Sequence, residues 1–197
     1  MKKMMGLACF SVALCAMTAC AKAPAAEAEE TSGAAASLAG KKVLVAYYSY
    51  SGNTGEVAKQ IARLTGGTLF EITTDHKYPQ AYRPMTQQAK KEIQEGFRPE
   101  LSSKVENMAQ YDVVFVGSPN WWGTYSPETA AFLDGYDFKG KTVVPFFTHG
   151  GGGMQNCERD MKKQLAGVQM LPGITFYGTG SGAPEAELSA WLKKLGF

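Results

Sequence analysis

Five apolar runs recur from Lys41 onward: VLVAYY at 43–48, TLFEIT at 68–73, DVVFVGS at 112–118, TVVPFFT at 142–148 and ITFYG at 174–178. Each is short and rich in β-branched or aromatic residues. Polar or amphipathic stretches separate them, with candidate helices near 54–65, 80–95, 127–134, 154–166 and 184–195. Strict alternation of strand and helix calls for a parallel sheet, because parallel neighbours need a crossover long enough to hold a helix. Runs one, three and four are apolar almost throughout, as strands buried on both faces must be. Right-handed crossovers then give a doubly wound α/β sheet in three layers, whose ligands bind beyond the carboxyl ends of the strands where strand order reverses. The loops after strands one, three and four are therefore the ones to read for function. The stretch from about Gly96 to Gln110 carries no clear period.

The first twenty residues lie outside this pattern. MKKMMGLACFSVALCAMTAC has two lysines, an uncharged and mostly apolar run, and small residues ending at Cys20. That is the layout of a secretory signal, too short and interrupted for a spanning helix. Its ending, MTAC, resembles the lipobox of bacterial lipoproteins, which implies cleavage after residue 19 and lipidation of Cys20; simple secretion is the alternative. Residues 20–40 lack aromatics and any apolar face and read as a lipid-anchored flexible tether spanning roughly 25 Å. The folded domain is expected over 41–197. The protein is then exported and anchored to a bacterial membrane, facing the periplasm or the cell surface.

Of 20 basic and 18 acidic side chains, Lys2 and Lys3 leave with the signal, so the mature chain has 18 of each. Near-neutral charge with no basic stripe makes nucleic acid an unexpected partner. Cys157 is the sole cysteine beyond residue 20. It has no internal partner for a disulfide and reads as a small buried residue. No metal site is expected.

Three loops carry the chemistry. In SYSGNT, residues 49–54, hydroxyls of Ser49, Ser51 and Thr54 and the Asn53 amide meet Gly52 where a strand gives way to a helix N-terminus, which favours an anion. The loop lacks the lysine of G-x-x-x-x-G-K-[ST] and the spacing of G-x-G-x-x-G, which argues against a nucleoside triphosphatase or a dinucleotide fold. Neutral donors suit a single phosphate monoester; a serine-rich helix cap is the plainer alternative. In SPNWWGTYSP, residues 118–127, consecutive tryptophans point to opposite sides, so one lines a cleft or lies exposed. In FFTHGGGGMQNC, residues 146–157, four glycines let backbone groups touch a ring edge. His149 is either a catalytic candidate or a structural hydrogen-bonding residue. A phosphate nest, an aromatic platform and a backbone-lined ring edge together point to flavin mononucleotide.

The chain resembles the flavodoxin family, above all its short flavodoxin-like members. YYSYSGNT stands at the position of the phosphate loop, and GSPNWWG and FFTHGGGG at those of the two ring-binding loops. FEITTDHKYPQAYRPMTQQAKKEI is similar to that subgroup's stretch after strand two. The resemblance covers residues 41–195 and implies a five-stranded parallel sheet in the order 2-1-3-4-5 with noncovalent FMN. It also implies that Ser49, Ser51, Gly52, Asn53 and Thr54 hold the phosphate. Pro119, Asn120, Trp121, Trp122 and Gly123, with Thr148, His149, Gly150 and Gly151, would then meet the isoalloxazine. Two departures stand out: no long insertion interrupts the last strand, and the charge is neutral where flavodoxins are acidic.

A flavin supplies redox chemistry, and the protein supplies position and electrostatics. One expectation is a membrane-tethered electron-transfer flavoprotein serving an unidentified redox partner, since NAD(P)H is scarce outside the cytoplasm. A second is an FMN-dependent NAD(P)H:quinone or nitro-compound oxidoreductase, with His149 or Tyr125 assisting protonation. A third is a binding module that keeps the fold without the flavin. Neither ring loop holds an Asp or Glu before Glu128 and Glu158, so a less negative reduction potential than in acidic relatives is expected.

Overall fold

The computed structural model describes residues 37–197. The proposed signal, Cys20 and most of the tether lie outside the described residues. Strands form at β1 (Val43–Tyr47), β2 (Thr68–Glu71), β3 (Val113–Trp121), β4 (Thr124–Tyr125), β5 (Thr142–His149), β6 (Gln169–Met170) and β7 (Ile174–Tyr177). Helices form at α1 (Asn53–Thr65), α2 (Tyr82–Glu95), α3 (Pro127–Asp134), α4 (Cys157–Gln164) and α5 (Glu185–Leu195). The parallel sheet runs β2-β1-β3-β5, with β6 and β7 both on the free side of β5. Counted over the five apolar runs, this is the order 2-1-3-4-5.

Alternation along the central strands divides the core into two layers. Val43, Val45, Val113, Phe115, Val144 and Phe146 face α1 and α5, meeting Val57, Ile61, Leu188 and Leu192. Leu44, Ala46, Val114, Val116, Val143 and Phe147 face the other way, toward Phe132 and Leu133 of α3 and Met161 of α4. Packing reaches back to Leu38, which is buried in the first layer and whose N–H donates to the Gly196 carbonyl at 3.1 Å.

Short elements account for the differences from the sequence reading. The last sheet position is split in two, with the break at Leu171–Gly173 beside Pro145, which has no N–H to offer a neighbour. β3 continues three residues past its expected end and folds back on β4 as a hairpin, pairing Trp121 with Thr124 and Asn120 with Tyr125. The stretch 96–110 contributes a bridge between Thr74 and Leu101, the buried Val105 and a 3₁₀ turn at Met108–Gln110.

Candidate functional site

The carboxyl ends of β1, β3 and β5 open onto one cleft of about 720 Å³. Its floor is the turn from β1 into α1. Gly52 holds a φ of 86°, a left-handed conformation that lets the chain double back and enter the helix. The N–H groups of Ser51, Gly52, Asn53 and Thr54 make no hydrogen bond among the described residues. They are helix-terminal donors left over for an outside acceptor. Ser49 is engaged otherwise: its Oγ accepts the Gly55 N–H at 3.1 Å, capping the first turn. Thr54 is buried, and its hydroxyl meets that of Thr148 on β5 at 2.8 Å. Asn53 ties the turn to the loop after β7, accepting the Gly180 N–H at 2.8 Å and donating to Ser51 Oγ at 3.0 Å. Lys59 does not serve the turn, since it pairs with Glu56 at 2.8 Å on the exposed face.

The first wall is the β3–β4 hairpin. Trp122 and Gly123 both have positive φ, 54° and 89°, the signature of a tight two-residue type I′ turn. Consecutive side chains diverge there. Trp121 packs inward, its ring 5.9 Å from Tyr48, 5.8 Å from Tyr50 and 5.1 Å from Tyr78, all edge-on. Trp122 stays 56% exposed at the mouth, its Nε1 donating to the Thr86 carbonyl of α2 at 2.8 Å with Lys90 Nζ 4.6 Å from the ring centroid. Asn120 lines the cleft, but its amide is committed internally. Nδ2 donates to Gly153 O at 2.7 Å and to Gln155 Oε1 at 3.1 Å, and Oδ1 accepts the Gly123 N–H at 3.0 Å. It locks the hairpin to the glycine loop.

The second wall is that loop. His149 Nδ1 accepts the Gly151 N–H at 2.9 Å, so the neutral ring carries its proton on Nε2. Tyr177 meets the same ring edge-on at 5.8 Å. Of the residues the resemblance placed at phosphate and ring, Ser51, Asn53, Thr54, Pro119, Asn120, Trp121, Trp122, Gly123, Thr148, His149 and Gly150 line the cleft. Ser49, Gly52 and Gly151 stand behind it as cap, turn and histidine partner. Tyr125 is turned away: it is buried, and its hydroxyl donates to Gln164 Oε1 at 2.6 Å.

The third wall has no counterpart in the sequence reading. Tyr82, Met85, Thr86 and Ala89 of α2 close a further side, and Tyr50, Gly152, Gln155 and Gly178 complete the lining. A polar helix after an edge strand gives no sign of this role. Only Met85 and Ala89, spaced four apart in a run of lysines and glutamines, hint at an inward face. Cys157, at the start of α4, is buried, and burial pushes its thiol up to about 12. Among the described residues no cluster of side chains is arranged to hold a metal ion.

A family model described as flavodoxin matches residues 42–195. The chain belongs to the flavodoxin family. A Bacteroides eggerthii chain assigned to the flavoproteins is 32% identical with a TM-score of 0.70, covering 80% of this chain and 99% of its own. A Lactobacillus acidophilus flavoprotein solved with FMN shares the fold at 23% identity and a TM-score of 0.63, over 77% of this chain and 99% of that one. An NAD(P)H dehydrogenase (quinone) of Cupriavidus metallidurans is 33% identical over 101 residues, 47% of this chain. The chain spans about half the length of that relative, 45%. In this member of the flavodoxin family the three carboxyl-end loops and the α2 wall bound one cleft.

Proposed function

We propose that the protein binds FMN in this cleft and acts as an oxidoreductase that passes electrons to quinone-type acceptors. The free N–H groups of Ser51 to Thr54 and the hydroxyls beside them would hold the phosphate; the absence of a cation in the loop suits one terminal monoester rather than a polyphosphate chain. Trp121, Pro119 and the Thr148–Gly150 backbone would receive the ring. FMN supplies the electron-transfer chemistry when bound. The residues around it exclude water, orient the ring and present His149 Nε2–H as a donor at the cleft edge.

The observation that carries this reading is the open mouth. Trp122 and Tyr82, 56% and 76% exposed, offer flat surface beyond the ring-binding walls, where a second planar molecule can stack. The likeness to NAD(P)H dehydrogenases (quinone) supports the same assignment. A second reading, a carrier tethered to a membrane, is favoured by the signal-like start and Cys20; radiolabelled palmitate incorporation lost in Cys20→Ala would support the anchor.

The test is an anaerobic titration of the purified protein with FMN, followed by NADPH and then a naphthoquinone. Stoichiometric flavin binding, bleaching by NADPH and recovery on adding quinone are expected. Bleaching by dithionite but not NADPH would favour the carrier. Failure to bind flavin would overturn both.

A further inference from the structure

Among the described residues, two that are not glycine hold a left-handed φ, Trp122 at 54° and Gln155 at 46°. Trp122 belongs to the type I′ turn of the hairpin. Gln155 is the less expected of the two, because its own loop places glycine wherever else the backbone turns this way, at Gly151 and Gly153. A residue that bears strain where glycine would relieve it points to a use for its side chain.

The neighbours of Gln155 fix how its amide lies. Asn120 Oδ1 accepts the Gly123 N–H at 3.0 Å, and Asn120 Nδ2 donates to the Gly153 carbonyl at 2.7 Å. A backbone N–H only donates and a carbonyl only accepts, so these two contacts decide which end of the Asn120 amide is which. The remaining Nδ2 hydrogen meets Gln155 at 3.1 Å, and the atom that receives it is the acceptor, Oε1. Nε2 is then the other end of the Gln155 amide, with two hydrogens and no hydrogen bond among the described residues. Bare backbone on both sides makes room for it. A Cβ on Gly152 would lie 3.2 Å from Gln155 Oε1 and 3.5 Å from Nε2, and one on Gly123 would lie 3.4 Å from Oε1.

Asn120 and Gln155 both line the cleft, but only Gln155 has a donor to offer. We propose that Gln155 is a specificity-determining residue of the cleft, whose Nε2, set in place by Asn120, donates to a carbonyl oxygen on the edge of the flavin ring. The inference rests on FMN being the occupant and supplies a ring donor beyond those named above. A planar ring held between two walls presents an edge where the walls join. The hairpin and the glycine loop join here, where the Asn156 N–H donates to the Gly123 carbonyl at 2.9 Å. The same wall carries His149 Nε2–H, and residues 118–123 and 148–157 contain no Asp or Glu. Such a wall favours a ligand edge that accepts hydrogen bonds, as the carbonyl-bearing pyrimidine edge of a flavin does, and disfavours one that only donates.

Fluorescence titrations with FMN and with riboflavin, which has the same ring and no phosphate, test this beside urea melts. Gln155→Gly removes the amide and the backbone strain together. It should keep or raise the denaturation midpoint while weakening both flavins about tenfold, the worth of one hydrogen bond. Gln155→Glu, which sets a carboxylate where the donor was, should weaken both further. NMR of the isotope-labelled wild type should show the Gln155 side-chain amide protons moving downfield as FMN is added. Affinities within about twofold of wild type in either variant would overturn the proposal. So would amide protons that stay in place, or a loss confined to FMN, which would assign the effect to the phosphate turn. A wild type that binds neither flavin would bring down the functional reading and this inference with it, whereas wild-type binding with unaltered variants would strike this inference alone.

Discussion

At the scale of single residues, Trp122 holds the clearest conflict between backbone and side chain. A left-handed φ costs an ordinary residue about 1–2 kcal/mol, and here it is borne by an indole that faces the cleft mouth and is pinned to α2. Asparagine tolerates that conformation. Trp122→Asn should therefore raise or preserve the denaturation midpoint while weakening FMN binding several-fold, which paired urea melts and fluorescence titrations would show. Gly178 presents the opposite case. A methyl group there would come within 2.6 Å of Asn53 Nδ2, dislodging the amide that ties the α1 turn to Gly180. Gly178→Ala should weaken flavin binding about tenfold while costing less than about 2 kcal/mol of stability. Cys157, buried and with its thiol pushed up to about 12, should react with a disulfide reagent only as fast as the protein opens. Stopped-flow rates in native buffer and in urea would compare the two.

At the scale of elements, the central pair β3–β5 decides how tightly the sheet closes under the cleft. Gly117 sits opposite Phe146, whose ring fills the space a side chain would need. Gly117→Ala should cost about 1–3 kcal/mol by overpacking, read from a lowered urea midpoint with an unchanged slope. Long periodic segments are legible in the sequence: α3 spans 127–134 as expected, and α1 and α5 begin within a residue of their expected starts. Helix α4 is shorter at its start because Gln155 takes a left-handed φ of 46°, which no propensity announces. The two-residue strands β4 and β6 are not legible there, since two residues are too few to display a period.

At the scale of the whole molecule, Glu128 ties folding to pH. Its folded carboxyl titrates above the unfolded one, so the native state holds the extra proton between the two values. The resulting stabilisation is full below the unfolded value and is lost as pH rises through the folded one. The stability difference between wild type and Glu128→Gln should therefore move against the wild type as pH climbs from about 4 toward neutrality, in chemical melts at several pH values. The sequence alone determined the layer order, the central strands and the loops that form the cleft, because period and turn chemistry are local properties written in consecutive residues, and the family resemblance of those loops named most of the lining. Only the tertiary structure decided that α2 supplies a wall, that Asn120 braces the loops, that Tyr125 points away, that Glu128 is buried without a partner among the described residues, and that Tyr78, Glu92 and His76 meet. Those residues come from separate elements, and their proximity depends on how helices seat on the sheet, which no spacing along the chain encodes.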